Sequence, residues 1–388
     1  MPEAATEGRP GSAPRTEVEF ATSGHTGTPV SWWRGADQLA YEAALVTDLL
    51  VGEVDHVVNF APTRHLFGHL FGEVLPRTRG VDVHHAWRHA VTDVPPLRSG
   101  ARTLLVCLPS AWPLLRRLLP ALGALPRVVA LHSTAAAPQA AKDVVHALRG
   151  TGFTAHALLG STETGAVAHR PVAPAGTDDG PWRLLPDVAL VPEPAATPAA
   201  DAAADAVQPL HVISPRIGRR HDLPAPPDSW RTADLIRRRA PREFDHLGRA
   251  SRLVKANGVR VWLDAVEAAL ADALPGLDVT CLPVPDGVRG EHYEIYCAAP
   301  GRHGDAAVAG PRLVRRTLAR LLPGVPGPRT VHLVDRIPRS AVGKVRIPEL
   351  RTPERAPAPR APAPRPAAPR ETAPRTTAPR VPELGTSA

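Results

Sequence analysis

The chain has 388 residues, of which 46 are basic and 38 acidic, giving a net charge of +8. At roughly 150 residues per domain, this length suits two or three domains. No uncharged apolar run reaches the about 18 residues of a membrane-spanning helix, and the polar residues 1–11 lack the pattern of a secretory signal. We therefore expect a cytoplasmic protein with a buried core and no transmembrane segment.

The cysteines and lysines of the chain are few. The three cysteines, Cys107, Cys281 and Cys297, are too scattered for a disulfide framework or a CxxC metal site. Each lies in an apolar run, so we expect buried free thiols. All other basic residues being arginine, the only lysines are Lys142, Lys255 and Lys344. A lysine in so arginine-biased a chain is therefore informative, whereas a single arginine is not.

The first half of the chain has the pattern of an α/β fold. Residues 1–15 are predicted to be disordered. Between Val18 and Gly165, strand-like apolar runs alternate with helical ones, which predicts an α/β layer with a largely parallel sheet. The predicted buried strands are 104–108, 128–131 and 155–159, and the predicted helices are 36–50 and 139–148.

The second half is more segmented. Residues 171–209 are rich in alanine, proline and aspartate, and 199–206 is predicted to be a surface insertion. Short strands dominate the prediction for 210–247. Residues 250–350 combine one predicted helix, 263–274, with strands such as 293–298. This mixture predicts a small α+β domain.

Arginine recurs every fifth residue in the tail, residues 351–388, among alanines and prolines. Its seven arginines and three glutamates account for half of the net charge. So much proline excludes helix and central strand, which predicts a disordered, polyproline-like segment. The tail is either a plain linker or an electrostatic tether to RNA, a membrane or an acidic partner. Because no aromatic residues are interleaved, we expect no specific nucleic-acid binding.

A glycine-rich loop follows the first predicted strand, where residues 19–29 read EFATSGHTGTP. Its backbone N–H groups and hydroxyls can converge on an anion, as in phosphate-binding loops. It is not a Walker A loop, because no Gly-Lys-Ser/Thr follows. On these residues alone, the loop is either a tight turn or a phosphate site.

A second loop, residues 159–165, reads LGSTETG and also follows an apolar strand. The Glu163 carboxylate among hydroxyl groups is a suitable ligand for a hard cation such as Mg²⁺. Alternatively, Glu163 caps the N-terminus of a helix. The residues alone leave both interpretations open.

In this order, the two loops resemble those of the adenylate-forming superfamily, which includes acyl- and aryl-CoA synthetases and peptide-synthetase adenylation domains. Further segments match in family order: PTRHLFG (62–68) resembles an acyl-pocket segment, WRTADL (230–235) resembles Tyr-Arg-Thr-Gly-Asp-Leu, GRASRLVKANGVRV (248–261) resembles the hinge segment, and PRSAVGK (338–344) resembles the closing motif. Lys255 and Lys344 fall where the hinge and closing motifs have lysine.

The resemblance implies a large adenylate-forming α/β domain over 16–249, joined by a hinge to a mobile small α+β domain over 250–350. Such enzymes use ATP and Mg²⁺ to convert a carboxylic acid to an acyl-adenylate. They then transfer the acyl group to CoA or to the phosphopantetheine of a carrier protein. No carrier domain is recognised after residue 350, so the thiol is expected from a separate molecule.

The resemblance also implies roles for individual residues. It assigns ATP binding to Thr22, Ser23, Gly24, Thr26, Gly27, Gly160, Ser161, Thr162, Asp234 and Arg249. Thr162 and Glu163 would hold Mg²⁺, and Asp234 would accept the ribose hydroxyls. The catalytic assignments are Lys344, Glu163 and Arg249. Gly258 would border the path of the thiol, while His65 is either a gate of the acyl pocket or a satisfied histidine beneath its wall.

Four features depart from the family pattern. Val30 stands where the phosphate loop has lysine, Leu159 replaces an aromatic residue, and Ser251 replaces the hinge aspartate. The glycine-rich loop also begins at Thr22, whereas family members carry a longer stretch before it. We therefore expect an incomplete large domain whose apolar face a partner covers, a misassigned start, or a degenerate remnant.

The predicted function is that of an AMP-forming acid–thiol ligase for an aryl or fatty acid. The alternative is a catalytically degenerate fold that serves as a scaffold or as half of a split synthetase.

Overall fold

The computed structural model describes residues 17–22, 30–90, 92–133, 137–191, 207–286, 290–298, 310–340 and 345–351. Several sequence predictions lie outside these ranges: the disordered start, the 199–206 insertion, the tail from residue 352, and the site residues Ser23, Gly24, Thr26, Gly27 and Lys344. These stay predictions.

The described residues form strands and helices in the following order. The strands are β1 Glu17–Ala21, β2 Ser31–Gly35, β3 His56–Asn59, β4 Asp82–His84, β5 Arg102–Cys107, β6 Arg127–His132, β7 Phe153–Ser161, β8 Gly165–Pro171, β9 Trp182–Leu184, β10 Ala189–Leu190, β11 Val207–Ile213, β12 Arg219–Arg220, β13 Ser229–Ala240, β14 Glu243–Arg249, β15 Leu253–Ala256, β16 Val259–Trp262, β17 Asp278–Asp286, β18 Gly290–Ala298 and β19 Val331–Leu333. The helices are α1 Ala36–Val46, α2 Leu66–His69, α3 Leu75–Arg79, α4 Trp112–Arg117, α5 Leu119–Gly123, α6 Gln139–Ala147, α7 Leu263–Ala273, α8 Pro311–Leu321 and α9 Ile347–Arg351.

The largest sheet has the strand order β10-β11-β13-β14-β9-β8-β7-β6-β5-β3-β4. Its pairings from β4 to β7 are parallel, and those from β7 to β10 are antiparallel. The three buried strands predicted from the sequence are β5, β6 and β7, and the predicted parallel arrangement is confirmed for them. It continues through β3 and β4 on one side but stops at β7 on the other, because the short turn after β7 cannot make the crossover that a parallel strand needs.

The first hydrophobic core surrounds this parallel half. Every residue of β5 after Arg102 is buried, as expected for a strand covered on both faces. The predicted helix 36–50 is α1, continued by a π-helical turn over Thr47–Val51, and the predicted helix 139–148 is α6. Trp112 at the start of α4 is fully buried, and its Nε1 donates a hydrogen bond to His132 Nδ1 (3.1 Å).

A second hydrophobic core is built from the β15–β16 hairpin, α7, α8 and the three-stranded sheet β17-β18-β19. The predicted helix 263–274 and strand 293–298 are confirmed as α7 and part of β18. Helix α8 was not predicted from the sequence, because arginines separate its few apolar residues. The division into a large domain and a mobile small domain at the hinge stays a prediction.

A carboxylate on the second core's sheet is held by two basic side chains. Glu294 Oε1 accepts hydrogen bonds from Arg329 Nε (3.0 Å) and Nη2 (2.6 Å), and His332 Nε2 donates to Glu294 Oε2 (3.0 Å). Burial raises the pKa of Glu294, but the hydrogen bonds from Arg329 and His332 outweigh it, so this pKa lies below its usual value. The ionised form of Glu294 is therefore favoured by folding.

Two further expectations concern cysteines and membrane segments. Cys107, Cys281 and Cys297 are buried free thiols, as predicted, and burial raises the pKa of each above its usual value. Within the described ranges, no helix is long and apolar enough to cross a bilayer. The cytoplasmic location stays a prediction.

Candidate active site

The predicted phosphate loop is the connection of a β-hairpin. Strand β1 pairs antiparallel with β2, with Ala21 opposite Ser31. Thr22 N donates to Val30 O (2.9 Å), and Val30 N donates to Thr22 Oγ1 (3.1 Å). The Thr22 hydroxyl is therefore engaged in closing the base of the loop, and Val30 joins this closure through its backbone.

The predicted metal-binding loop is the turn between β7 and β8, residues 162–164. Ser161 Oγ lies 3.1 Å from Thr164 Oγ1 and accepts a hydrogen bond from Thr164 N (3.3 Å). A strand follows the turn, so the alternative that Glu163 caps a helix is wrong. The backbone of Glu163 is fixed, since its carbonyl accepts a hydrogen bond from Gly218 N (2.8 Å). Its carboxylate makes no hydrogen bond or ion pair with any described residue.

Two buried charged residues hold this turn from outside. Arg34, on β2, donates from Nε (3.3 Å) and Nη2 (3.0 Å) to Thr162 O. Glu42, on α1, accepts a hydrogen bond from Ala166 N at Oε1 (2.7 Å). Arg34 Nη1 and Glu42 Oε2 form an ion pair at 3.4 Å. Strand β2 therefore connects the hairpin of the glycine-rich loop to the acidic turn.

The ion pair continues to a second arginine and a second carboxylate. Arg216 Nη1 lies 3.3 Å from Glu42 Oε1, and Arg216 donates from Nε (2.7 Å) and Nη2 (2.9 Å) to the Asp187 carboxylate. Burial lowers the pKa of Arg34 to about 10, although Glu42 raises it, so Arg34 stays cationic near neutral pH. Burial also lowers the pKa of Arg216, but Glu42 and Asp187 more than offset this and leave it raised. Two cations thus face two anions in the interior.

Sequence analysis missed this network. Its clearest signal is Glu42, a carboxylate placed between Leu39 and Val46 on the apolar face of the predicted helix 36–50. A charge on such a face indicates a buried partner. The sequence does not say which of the many arginines is that partner.

A second polar cluster lies on the antiparallel half of the sheet. Asp234 on β13 stands opposite Arg249 on β14. His246 Nε2 donates to Asp234 Oδ1 (3.2 Å), and Arg249 Nε lies 3.4 Å from the same oxygen. Burial raises the pKa of Asp234, but the hydrogen bond from His246 and the charge of Arg249 outweigh it, leaving this pKa lowered. Asp234 and Arg249 are thus brought together, and sequence analysis missed His246.

The segment predicted to line the acyl pocket begins beside a cavity of about 210 Å³. The cavity is lined by Phe60, Pro62, Trp87, Ser110 and Leu114, among others. His65 is not among its lining residues; it precedes α2, is half-buried, and its backbone oxygen accepts a hydrogen bond from His69 N (2.9 Å). Whether His65 is a gate or a satisfied histidine stays a prediction.

The predicted hinge segment, residues 248–261, runs from the end of β14 through a 3-10 turn, Ala250–Arg252, into the β15–β16 hairpin. Asn257 (φ 51°) and Gly258 (φ 82°) form the two-residue turn of this hairpin. Both φ angles are positive, a conformation for which Asn-Gly is a preferred pair. Gly258 and Lys255 are exposed. Leu159, in place of the family's aromatic residue, is buried in the first core, and Ser251 is exposed.

The acidic turn has a donor set that fits Mg²⁺. The Glu163 carboxylate and the Thr162 hydroxyl are hard oxygen ligands, and neither is bound to another described side chain. Gly160 and Ser161 lead directly into this turn at the end of β7. The structure thus gathers Thr162, Glu163 and the base of the glycine-rich loop around β2.

Comparison with known proteins finds relatives of similar sequence. A 4-coumarate–CoA ligase of Halorhodospira halophila is 27% identical over 337 residues, which make up 85% of this chain and 75% of that ligase. The phenyloxazoline synthase MbtB of Mycolicibacterium paratuberculosis is 36% identical over 117 residues, but the match is 30% of this chain and only 10% of the synthase. No family model matches the chain.

The fold is similar to that of the anthranilate CoA ligase AuaEII, solved in complex with anthranoyl-AMP. The TM-score is 0.67 at 18% identity, with 86% of this chain and 66% of that chain covered. The chain therefore spans about two thirds of the length of this structural relative. The chain is thus similar in sequence to a CoA ligase over most of its length, and similar in fold to a ligase of the adenylate-forming kind.

Proposed function

We propose that the chain is an AMP-forming ligase that activates an aryl or fatty acid with ATP and passes the acyl group to a thiol. The observation that carries the proposal is the Arg34 link between the glycine-rich hairpin and the acidic turn. It joins a loop suited to phosphate with a carboxylate suited to Mg²⁺, the pair of features that a magnesium nucleotide requires. The named activities of the CoA ligase relatives support the same reaction.

In the first half-reaction, the substrate carboxylate attacks the α-phosphorus of ATP and pyrophosphate leaves. Attack of one anion on another needs alignment and charge neutralisation more than covalent help. Ser23, Gly24, Thr26 and Gly27 would hold the leaving phosphates, while Thr22 closes their loop. Thr162 and Glu163 would hold Mg²⁺, which would supply positive charge to the phosphates.

The nucleoside and the developing charge would be held by other residues. Asp234 would accept both ribose hydroxyl hydrogens, with its carboxylate kept ionised by His246 and Arg249. The ammonium group of Lys344 would stabilise the charge that develops between the carboxylate and the α-phosphate. In the second half-reaction, a thiol displaces AMP, and Gly258 would border its path after movement at the hinge.

The experiment that tests this proposal measures AMP release from ATP over a panel of aryl and fatty acids. Each acid is tested with CoA and with a phosphopantetheine-bearing carrier protein. We expect AMP release to require one acid and one of the two thiols. Absence of AMP with every acid and both thiols would contradict the proposed ligase.

A further inference from the structure

The turn 162–164 is held by groups that belong to no motif of the chain. Arg34 donates hydrogen bonds to the carbonyl of Thr162, the first residue of the turn, and Gly218 N donates one to the carbonyl of Glu163. Just beyond the turn, Ala166 N donates a hydrogen bond to the Glu42 carboxylate. The contacts therefore reach the turn from both of its ends. A change in Arg34 or Glu42 would release one end.

Arg34, Glu42 and Arg216 have no exposed surface. Charges placed so deep are costly to bury, and apolar residues of similar volume usually serve stability as well or better. Such a network contributes geometric specificity instead, because the hydrogen bonds of a guanidinium group and a carboxylate form only with partners in a few relative positions. The network thus specifies one position for the turn.

Gly165 shows how closely the turn and the network are built against each other. Its φ angle is +70°, and a Cβ atom added there would overlap the Glu42 carboxylate. Only glycine combines this backbone conformation with so close an approach. The start of β8 and the carboxylate of Glu42 are therefore complementary in shape.

The backbone of the turn is therefore fixed, while the Glu163 carboxylate makes no hydrogen bond or ion pair with a described residue. The carbonyls of Thr162 and Glu163 are both bound. The Glu163 charge still interacts with nearby Arg34: burial lowers the pKa of Arg34, and the charge of Glu163 acts to raise it. A fixed backbone with an available carboxylate favours ligand binding, because little conformational entropy is then lost when the ligand binds.

We propose that Arg34 and Glu42 are positioning residues that hold the Thr162–Glu163 turn in the conformation that binds the magnesium nucleotide. This inference rests on the proposed function. Neither residue touches the nucleotide; each acts through the backbone of the turn. Magnesium affinity should therefore depend on Arg34 beyond its effect on folding.

The test compares Arg34→Lys with wild type and with Arg79→Lys, a control at an exposed ion pair with Asp48. A lysine at position 34 keeps the positive charge beside Glu42 but cannot hold the Thr162 carbonyl with two N–H groups. Three quantities are measured: the thermal midpoint, amide hydrogen exchange of peptide 160–168, and binding of Mg·ATP at varied Mg²⁺.

For Arg34→Lys we expect the thermal midpoint to fall by only a few degrees, because the buried charge is kept while one hydrogen bond is lost. Exchange within peptide 160–168 should rise, and the apparent affinity for Mg²⁺ should fall, each roughly tenfold for the loss of one hydrogen bond. Arg79→Lys should change neither. Where the enzyme turns over, kcat should fall more than the KM for the acid changes. If Arg34→Lys does not fold, Glu42→Gln replaces it. This variant removes the charge that pairs with Arg34 and Arg216, so the thermal midpoint should fall, and magnesium affinity should fall by more than that loss of stability accounts for.

Unchanged exchange in peptide 160–168, or loss of magnesium affinity only in proportion to the thermal midpoint, would overturn the positioning role. Failure of the proposed function looks different. Wild type would then release no AMP with any acid, while hydrogen exchange and Mg·ATP binding would still decide whether Arg34 positions the turn.

Discussion

Replacement of Asp234 by asparagine should weaken ATP binding while leaving the fold intact. The side chain keeps its shape and one acceptor oxygen but loses its charge. Hydrogen bonds to a charged acceptor contribute about 1.5–3 kcal/mol each, against about 0.5–1.5 kcal/mol for neutral ones. For two ribose hydroxyls the loss is about 2–3 kcal/mol, which is a roughly 30- to 140-fold rise in the KM for ATP.

The cost to folding should be smaller. The ion-pair partner, Arg249, has 44% of its side chain exposed, and such a pair contributes at most about 1 kcal/mol. The amide oxygen of the asparagine can still accept the hydrogen bond that His246 Nε2 donates to Asp234. The interaction with ribose is present before and during the reaction, so kcat should change little. Initial rates at varied ATP, together with the thermal midpoint, measure both effects.

The matched control is Asp245→Asn. Asp245 lies on the same strand as His246, and its carboxylate pairs with Arg239 Nη2 (2.6 Å), which is more than half exposed. We expect no change in the KM for ATP. A roughly threefold rise in the KM for ATP corresponds to less than about 1 kcal/mol, well below the loss expected for Asp234→Asn. A rise of about threefold or less in this variant would therefore refute the assigned role of Asp234.

Three further predictions concern stability. Trp112→Phe should lose about 1–3 kcal/mol in urea unfolding, because a buried indole hydrogen bond disappears; a loss below about 0.5 kcal/mol would contradict this. Gly165→Ala should cost about 1–3 kcal/mol more than Gly150→Ala, since both have positive φ but only Gly165 abuts a buried carboxylate; equal losses would show that the carboxylate moves aside. Glu294→Gln should be less stable than wild type at pH values above 4.5, the usual pKa of a glutamate. This difference in stability should shrink as pH falls below 4.5, because Glu294 then becomes protonated and wild type loses the stabilisation that its lowered pKa reflects. A difference in stability that does not depend on pH would contradict the stabilising role of ionised Glu294.

The elements predicted correctly from the sequence are those whose pattern is local. Strands β5 and β6 are uninterrupted apolar runs, and α1 and α7 show helical spacing of apolar residues. Helix α8 escaped prediction because its buried residues, Val314, Thr317 and Leu318, are diluted by arginine. The extent of the parallel arrangement also escaped, because it depends on how β8 returns after a turn rather than on composition.

The candidate site was predictable only where short motifs carry it. The glycine-rich loop and the acidic turn are visible as strings of residues. Their connection is not, because Arg34 and the Thr162 carbonyl are 128 residues apart in the chain. Asp234 was recognised from its flanking residues, whereas His246 reaches it only through the pairing of β13 with β14. The candidate site therefore depends on contacts between segments distant in sequence, which the short motifs do not reveal.

The most direct test of the account is acid-dependent exchange of labelled pyrophosphate into ATP by the full chain, over a panel of aryl, fatty and amino acids. We predict exchange with at least one aryl or fatty acid. We also predict that Lys344→Ala lowers it by roughly two or more orders of magnitude, as expected when a group that stabilises transition-state charge is removed. Absence of exchange with every acid, while an ATP analogue still binds, would contradict the account and favour a scaffold.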